Sequence, residues 1–421
     1  MRFVSVAAWL DWQQVAHPRP IDPGLARVGE VYRRLGLARP RTVLTIGGTN
    51  GKGSVAAYLD AALAAAGYET GLFTSPHLIR YNERIRVRGK DVTDELLLTA
   101  FERVDAACDG VSLSFFEWNT LAALVAFAHE RVDAAVLEVG MGGRLDAVNV
   151  LDADVAAVVS VGLDHREWLG DSLEQIGVEK AGIFRPGRPA IFGARRMPQS
   201  VGRAAADCGA RLRRLGVDFD FVERTDGWDF FGLCSRRRDL PLPALAGSGQ
   251  LANAATALAV LEAAEPGLLV PDAAVCAGLA GVRLAGRFQV VGSEPEWILD
   301  VAHNAEAAGA LAASLAARPC RGRTLAVCGI LADKDIDAIV LALAAQVQEW
   351  IAVSLDGPRA LPGAELARRI ALRTGARVTA SGSVAAGCES ALAASGARDR
   401  ILVFGSFHTV GPALVHLGLG A

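Results

Sequence analysis

Residues 42–63 read TVLTIGGTNGKGSVAAYLDAAL, and this stretch decides the fold of the first part of the chain. The apolar, β-branched run at residues 42–46 predicts a buried strand, and the Ala/Leu-rich run at residues 54–66 predicts a helix. Between them lies the glycine-rich turn GGTNGKGS, which carries one lysine and one serine. A strand, a glycine-rich turn and a helix in direct succession are typical of a phosphate-binding loop.

The residues of this turn, Thr49, Asn50, Gly51, Lys52, Gly53 and Ser54, are candidates for nucleotide contacts. Glycines let backbone N–H groups turn toward phosphate oxygens, and the helix N-terminus adds a partial positive charge. Lys52 can reach the β- and γ-phosphates, and Ser54 can bind magnesium. The spacing departs from the strict Walker pattern, because Gly53 separates the lysine from the serine. A glycine-rich turn alone is often only a tight connection, but the lysine and serine in this context predict nucleotide binding.

Apolar runs alternate with helical runs on both sides of this loop, as in a doubly wound, mostly parallel sheet. Further strands are predicted at residues 134–139 and 155–161, and helices at residues 96–107 and 120–129. The segment 203–243 is less periodic and predicts short strands and loops at the surface.

A second alternation of strands and helices follows the stretch VRLAGRFQVVG at residues 282–292. Its strands are predicted at residues 297–301, 324–328, 350–353 and 401–404. We therefore expect an α/β protein, with a P-loop domain at residues 1–284 and a smaller Rossmann-like domain at residues 291–421. Neither series contains GxGxxG at a strand-to-helix turn, so the sequence does not support a nicotinamide or flavin site.

Composition argues against several classes of partner. The chain has 421 residues, of which 52% are hydrophobic and 21% charged, so it can bury a large core. A net charge of -3 without blocks of like charge predicts no nucleic acid and no membrane surface as partner. No apolar run reaches the ~18 residues of a spanning helix, which predicts a cytoplasmic protein. The seven cysteines are scattered without a CxxC pair, as expected for reduced thiols.

Lysine is rare in this chain. Of the 43 Lys and Arg residues only Lys52, Lys90, Lys180 and Lys334 are lysine. An amine can be a compact phosphate ligand or can be carbamylated, and a guanidinium does neither well. Lys90 lies in a turn-like RGKD stretch and needs no functional explanation, whereas the other three lie in motifs.

Polar groups follow several predicted strands, where open α/β sheets bind their ligands. Glu138 ends the run AAVLEVG, Asp164 and His165 follow AAVVSVGL, and Ser75 lies in FTSPHL. A carboxylate at such a strand end can bind Mg²⁺ directly or through water. From residue chemistry alone, His165 is equally compatible with a metal ligand and with a capping histidine.

An ordered set of motifs resembles the folylpolyglutamate synthase/dihydrofolate synthase family of the Mur ligase superfamily. In the first domain the set is GTNGKGS, TSPHLIRYNERIRV, FFEWNTLAAL, EVGMGGRLDAVN, GLDHREWLG and EKAGIF. In the second domain it continues with GRFQ, ILDVAHNAEA, GILADKD and VFGSFHTVG. The resemblance covers nearly the whole chain, and the order of so many motifs makes it specific.

The resemblance implies roles for individual residues. Thr49 to Lys52 match the ATP phosphate loop, and Asn253, Arg287 and Asp300 match further nucleotide contacts. Ser75, Glu138 and His165 match magnesium positions. Asp300 alone could instead cap the helix that starts near Asn304. The family's dihydropteroate-binding positions match Ser114, Phe115, Phe116, Glu117, Leu145, Asp146 and Ala147.

Three further residues acquire catalytic roles from the resemblance. Lys180 matches a lysine that the family carries as a carbamate, an anion able to assist a second magnesium ion. His303 and Lys334 would bring groups of the second domain to the phosphates. For His303 the alternative is a neighbour of a helix N-cap without a catalytic part.

The implied activity is an ATP-dependent, ADP-forming ligase that joins L-glutamate to dihydropteroate and to tetrahydrofolate through an acyl phosphate. The resemblance also implies a monomer. A monofunctional folylpolyglutamate synthase and another Mur-type amide ligase remain alternatives. A GTPase would need a base-reading motif such as NKxD, which the sequence lacks. A regulatory protein without chemistry would be expected to lose Lys180, Glu138 or His165, and all three are present.

Overall fold

The chain divides into two units in a computed structural model that describes residues 2–419. Unit 1 contains the chain up to His77, Tyr81–Ala244 and Leu251–Val282. Unit 2 contains Leu78–Arg80, Leu245–Gln250 and the described residues from Arg283 onward. The functional domains predicted at residues 1–284 and 291–421 stay a prediction.

The helices up to residue 281 are α1 Val6–Val15, α2 Ala26–Leu35, α3 Lys52–Ala65, α4 Asp94–Cys108, α5 Phe115–Glu130, α6 Arg166–Leu169, α7 Leu173–Ala181, α8 Gln199–Cys208, α9 Gln250–Ala263 and α10 Asp272–Gly281. The strands of the same part are β1 Thr42–Gly47, β2 Thr70–Phe73, β3 Ile85–Val87, β4 Lys90–Asp91, β5 Ala134–Glu138, β6 Val155–Val158, β7 Pro189–Phe192, β8 Arg211–Arg214, β9 Asp220–Glu223, β10 Trp228–Phe231 and β11 Arg236–Leu240. Short 3₁₀ helices cover Tyr81–Arg84 and Ala147–Val150.

The main sheet of unit 1 has eight strands in the order β4-β3-β2-β5-β1-β6-β7-β8. All neighbours from β2 to β8 pair in parallel, and the edge pairs β2-β3 and β3-β4 are antiparallel. Every residue of β1 is buried, as expected for a strand covered on both faces. The predicted mostly parallel α/β architecture is confirmed, and β1 lies between β5 and β6.

The short strands predicted for residues 203–243 are confirmed by β8 to β11, but the segment differs from the prediction in two respects. Residues up to Cys208 belong to α8, and Trp228 and Phe230 are fully buried. Trp228 and Phe230 are buried because they lie on β10, the middle strand of a small antiparallel sheet that β10 forms with β9 and β11. The Trp228 ring packs edge-on against Phe221 and Phe230, with centroid distances of 6.3 and 6.1 Å. Strands of four or five residues are too short for the sequence to show which of their side chains are buried.

Unit 2 is a smaller α/β fold. Its helices are α11 Ala305–Ala317, α12 Ile336–Leu343, α13 Gly363–Thr374, α14 Val384–Ala394 and α15 Phe407–His416. Its strands are β12 Gln289–Val291, β13 Glu296–Asp300, β14 Thr324–Cys328, β15 Glu349–Val353, β16 Arg377–Ser381 and β17 Arg400–Phe404. The sheet order is β12-β13-β17-β14-β15-β16, parallel except for the edge pair β12-β13. Two apolar clusters cover its two faces.

Within the described part of the chain, no helix is both long enough and apolar enough to cross a membrane.

Candidate active site

The phosphate loop connects β1 to α3, as the sequence predicted. Gly51 is the N-cap of α3 with φ of 87°, and Gly48 has φ of 149°, so both positions favour glycine. Lys52 Nζ donates to the carbonyls of Gly48 and Thr49 at 3.0 and 3.3 Å. The Lys52 amine therefore lies against the backbone carbonyls of the loop, at the N-terminus of α3.

Asn253 on α9 lies against the same loop. A Cβ atom at Gly51 would be 2.6 Å from Asn253 Oδ1, so only a glycine fits at this contact. The two residues are more than 200 positions apart, and their proximity was predicted only by the family resemblance.

The predicted metal ligands follow or end three strands of the main sheet, the neighbours β2 and β5 and, beyond β1, the strand β6. Glu138 ends β5 and is 5% exposed, and Ser75 follows the adjacent strand β2. The Ser75 N–H donates to Glu138 Oε2 at 3.3 Å, so these two residues are brought together. His165 follows β6, on the other side of β1, and its backbone φ of 51° is left-handed.

A serine hydroxyl and a carboxylate are oxygen donors of the kind that magnesium prefers. Among the described residues no group of three His, Cys, Asp or Glu side chains forms a metal cluster. The arrangement of Ser75 and Glu138 therefore fits an ion that keeps several waters and phosphate oxygens as ligands, and it does not resemble an all-protein cage.

Lys180 is buried in the last turn of α7, with 4% exposure. Burial, and to a lesser extent the nearby charge of Lys52, lower the pKa of its amine to about 7, while Asp164 and Asp146 act in the opposite direction. Near neutral pH a substantial fraction of the amine is therefore unprotonated. A neutral amine is the form that can add CO₂ and become a carbamate.

The end of α7 is attached to the glycine-rich stretch that follows Glu138. Arg144 N–H donates to the Glu179 carbonyl at 2.8 Å, and the side chains of these two residues form an ion pair. The Asn149 amide donates to the carbonyls of Arg144 and Gly182 at 3.0 and 3.1 Å. These bonds fix Lys180 relative to the stretch that contains Leu145, Asp146 and Ala147.

The first predicted acceptor segment is the N-terminal turn of α5. Ser114 is its N-cap and forms a capping box with Glu117, so the two side chains stabilise the helix start. The ring of Phe116 lies under Gly140, where a Cβ atom would be 2.6 Å from it. Phe115 lies near Tyr81, with a centroid distance of 6.4 Å. This turn is thus in contact with the stretch after Glu138.

The second predicted acceptor segment surrounds Asp146. Its carboxylate accepts from the N–H groups of Met141 and Val148 at 2.9 and 3.0 Å. Burial raises its pKa to about 6, although these hydrogen bonds and the charge of Lys52 oppose the rise. Asp146 is therefore a titratable group within the physiological range, close to the phosphate loop.

The structure adds Arg27, which no sequence motif marked. Arg27 on α2 bonds Glu117 at 3.2 Å and Asp22 at 2.8 Å, which joins the N-terminal segment to the first acceptor segment. An arginine on an amphipathic surface helix gives no local signal of such a role.

Arg84 is a buried cation beside these residues, with 8% exposure. Its Nε donates to His77 Nδ1 at 2.8 Å, and its guanidinium lies 5.6 Å from the centroid of Phe115. Burial lowers the pKa of Arg84, while the charges of Tyr81 and Glu138 raise it. A buried guanidinium near an aromatic ring suits a carboxylate ligand.

The predicted residues of unit 2 form their own group at the end of β13. Asp300 accepts from the N–H groups of Phe288 and Ala302, both at 2.8 Å, and burial raises its pKa. Asn304, and not Asp300, caps α11, so the capping alternative for Asp300 was wrong. The Arg287 guanidinium lies 5.1 Å from the ring of Phe407.

His303 and Lys334 also belong to unit 2. His303 Nδ1 lies 2.8 Å from the Val301 carbonyl, so Nδ1 carries the proton and Nε2 is the basic nitrogen of the neutral ring. Lys334 lies between β14 and α12, where the Lys334 N–H donates to the Leu331 carbonyl at 3.2 Å.

Comparison with known families matches two models. Residues 46–193 match the Mur ligase middle domain, and residues 286–407 match the Mur ligase glutamate ligase domain. The first contains the glycine-rich loop and the predicted metal ligands, and the second contains Asp300, His303 and Lys334. Fold and site therefore define an ATP-dependent ligase of the Mur type.

Individual relatives narrow this class. The chain is 43% identical to the dihydrofolate synthase/folylpolyglutamate synthase of Escherichia coli over 96% of this chain and 94% of that protein. It matches the structure of E. coli FolC in complex with DHPP and ADP with a TM-score of 0.94 at 42% identity, over 99% and 98% of the two chains. It also matches a bifunctional folylpolyglutamate synthase/dihydrofolate synthase with Mn, AMPPNP and L-glutamate bound, with a TM-score of 0.92 at 41% identity, over 99% and 98% of the chains. The chain belongs to the dihydrofolate synthase/folylpolyglutamate synthase family.

Proposed function

We propose that this protein adds L-glutamate to dihydropteroate, forming dihydrofolate, and to tetrahydrofolate, forming polyglutamates, with ATP converted to ADP and phosphate. The observation that carries this proposal is the set of groups around the loop of unit 1. Lys52 lies in the connection after β1, Glu138 ends β5, and Asp146 lies in the connection after β5. They serve the nucleotide, the metal and the acceptor. The complexes of its relatives with DHPP, ADP, AMPPNP and glutamate support the same substrates.

The first chemical step is activation of the acceptor. A carboxylate is a poor electrophile, so its oxygen attacks the γ-phosphorus of ATP and ADP leaves. Lys52 offsets negative charge on the transferred group, by position and electrostatics rather than by covalent chemistry. The loop of Thr49 to Ser54 and the α9 residue Asn253 form the proposed nucleotide site of unit 1, and Arg287 and Asp300 are proposed nucleotide contacts of unit 2.

The second step forms the amide. The α-amine of glutamate attacks the carbonyl carbon of the acyl phosphate, and the tetrahedral intermediate expels phosphate. The amine must lose its proton, and His303 is the proposed group that accepts it, since its Nε2 is basic when Nδ1–H is bonded to Val301. Lys334 is the proposed partner of the departing phosphate.

Magnesium would be bound by Ser75, Glu138 and His165, and it would supply positive charge at the phosphates when bound. The Mn ion in a related structure supports a divalent ion in this family. Lys180 is the proposed carbamate. Its lowered pKa, caused mainly by burial, provides the neutral amine that this modification requires.

The acceptor is proposed to contact Ser114, Phe115, Phe116, Glu117, Leu145, Asp146 and Ala147. Arg84 is the buried cation suited to the carboxylate of the acceptor. No described feature favours a monofunctional enzyme over a bifunctional one. The monomeric state and the cytoplasmic location stay predictions.

The test is turnover by the purified protein with Mg²⁺, ATP and L-glutamate, with products identified by mass. We expect dihydropteroate to gain one glutamate and tetrahydrofolate to gain at least one. Turnover with only one acceptor would assign a monofunctional enzyme. Absence of turnover with both acceptors, in folded protein that binds ADP, would refute the proposed acceptors.

A further inference from the structure

Two hydroxyl groups connect the phosphate loop to the segment that follows β6. Ser160 Oγ accepts from the Asn50 N–H and donates to the Asn50 carbonyl, both at 2.9 Å. The Thr49 hydroxyl bonds Gly162 in the same reciprocal manner, accepting from its N–H at 2.9 Å and donating to its carbonyl at 3.1 Å. The Thr49 N–H also donates to the Ser160 carbonyl at 2.9 Å. Two consecutive loop residues are therefore fixed by five hydrogen bonds to Ser160 and Gly162.

The loop packs directly on this segment. A Cβ atom at Gly48 would be 3.2 Å from Ser160 N, and a Cβ atom at Gly51 would be 2.8 Å from Val159 Cγ1. Both distances are shorter than ordinary contacts, so glycine at these positions allows the close approach that the hydrogen bonds of Ser160 require. The contact thus combines close packing at Gly48 and Gly51 with the hydrogen bonds of the Ser160 and Thr49 hydroxyls.

These bonds decide which backbone donors face a phosphate. The N–H groups of Thr49 and Asn50 are already bonded to Ser160, so they are not available to a nucleotide. The first N–H groups of a helix have no partner within the helix. The donors for the phosphate are therefore the N–H groups at the start of α3, from Lys52 onward. The backbone of Thr49 and Asn50, which is fixed by Ser160 and Gly162, sets the position of these donors.

We propose that Ser160 is a positioning residue for ATP, which holds the phosphate loop in its binding conformation before the nucleotide arrives. A loop that is already ordered loses less conformational freedom on binding, so affinity rises without a new contact. The same segment continues to Asp164 and His165, so Ser160 also connects the loop to the proposed metal ligand. This inference rests on the proposed nucleotide role of the loop.

Removal of the Ser160 hydroxyl should change the binding of ATP and not the chemical step. Ser160 does not reach the transferred group, because its hydroxyl is occupied by Asn50. Loss of the hydroxyl should therefore raise the KM for ATP and leave kcat with saturating ATP nearly unchanged.

The experiment measures ADP binding by calorimetry and ATP kinetics for four variants of the full chain. We expect Ser160→Ala to weaken ADP binding about tenfold, equivalent to about 1.4 kcal/mol, with a similar rise in the KM for ATP. Ser160→Thr keeps the hydroxyl and should remain within about twofold of the wild type, well inside the tenfold that 1.4 kcal/mol represents. The matched control is Ser354→Ala in unit 2, whose hydroxyl accepts from the Gly363 N–H at 2.9 Å and which should not change ADP binding. Lys52→Ala tests the site itself and should abolish tight binding.

The outcomes separate this inference from the proposed function. If Lys52→Ala binds ADP like the wild type, the nucleotide role of the loop is wrong. If Lys52→Ala is impaired but Ser160→Ala binds normally, only the role of Ser160 is overturned. Equal weakening in Ser160→Ala and Ser160→Thr would also overturn it, since the hydroxyl would not be the cause.

A fifth variant tests the other hydroxyl of this connection. Thr49→Val removes the hydroxyl bonded to Gly162 and keeps the shape of the side chain. We expect it to weaken ADP binding as well, and normal binding by Thr49→Val would contradict the inference even if Ser160→Ala does not fold.

Discussion

Replacing Lys180 by methionine should make the protein more stable and inactive. The amine is 4% exposed, and burial is the main cause that lowers its pKa from 10.5 to about 7. The unfolded chain keeps the ordinary pKa, so between these values it binds a proton that the folded chain does not. The resulting cost to folding is absent above pH 10.5, grows as the pH falls, and is complete below about pH 7. The difference between the pKa of Lys180 in the unfolded chain and in the folded chain corresponds to roughly 5 kcal/mol.

Methionine has a similar length and no charge, so it removes this cost. Local relaxation and entry of water reduce the effect, and we expect a gain of about 2 kcal/mol in the free energy of unfolding at pH 7. The assay is urea unfolding at pH 7 and pH 9, without magnesium and in buffer depleted of CO₂. The gain should be smaller at pH 9. Lys90→Met is the matched control, because Lys90 is exposed and its replacement should change nothing.

Activity should change in the opposite direction from stability. If Lys180 acts as a carbamate, Lys180→Met should lose at least about 100-fold in turnover, and Lys90→Met should stay active. A Lys180→Met variant that is less stable than the wild type at pH 7, or whose advantage increases with pH, would refute the argument that Lys180 is a buried and costly cation.

Three further predictions concern the acceptor, the metal and the fold. With dihydropteroate as acceptor, kcat/KM should fall as the pH drops through about 6, because burial raises the pKa of Asp146 to about 6 and its ionised form is lost below that value. The pH–rate profile of Asp146→Asn should lack this fall, and a fall that persists in this variant would exclude Asp146 as the titrating group. Glu138→Gln should raise the Mg²⁺ concentration for half-maximal activity at least about tenfold, because a ligand charge is lost; an unchanged magnesium titration would remove Glu138 from the metal site. Glu262→Ala should lower the free energy of unfolding by about 3 kcal/mol, because Glu262 is buried and accepts from the Leu233 N–H at 2.6 Å and from the Ser235 hydroxyl. Urea unfolding measures this loss, with Glu262→Gln as the milder control. A loss below about 1 kcal/mol would show that these hydrogen bonds contribute little.

Local signals were enough to predict the central part of the fold. The strand β1, the phosphate loop and α3 are consecutive in the chain, so their pattern can be recognised without knowledge of any distant contact. The strands β5 and β6 were predicted for the same reason, because buried strands have a distinctive composition, although β6 ends at Val158 and not at residue 161. These elements place Lys52 and Glu138, although the family resemblance was needed to assign their roles.

Contacts between distant residues could not be predicted in this way. Ser160 lies 110 positions from Asn50, and a serine after a strand has no special pattern. Arg27 pairs with Glu117 across 90 positions, and Glu262 bonds the turn between β10 and β11, in a segment predicted as short strands and loops at the surface. Burial of Lys180 also depends on the packing of the whole domain. The scarcity of lysine in the sequence therefore suggested a function for Lys180 but could not predict its lowered pKa.

The central claim is that glutamate is joined through an acyl phosphate, and isotope transfer tests it most directly. Dihydropteroate labelled with ¹⁸O in its carboxylate would be converted with ATP, L-glutamate and Mg²⁺, and the released phosphate would be analysed by mass. The account predicts one ¹⁸O atom in the phosphate for each amide formed, because the carboxylate oxygen that attacks the γ-phosphate leaves with it. Amide formation with unlabelled phosphate would contradict the mechanism.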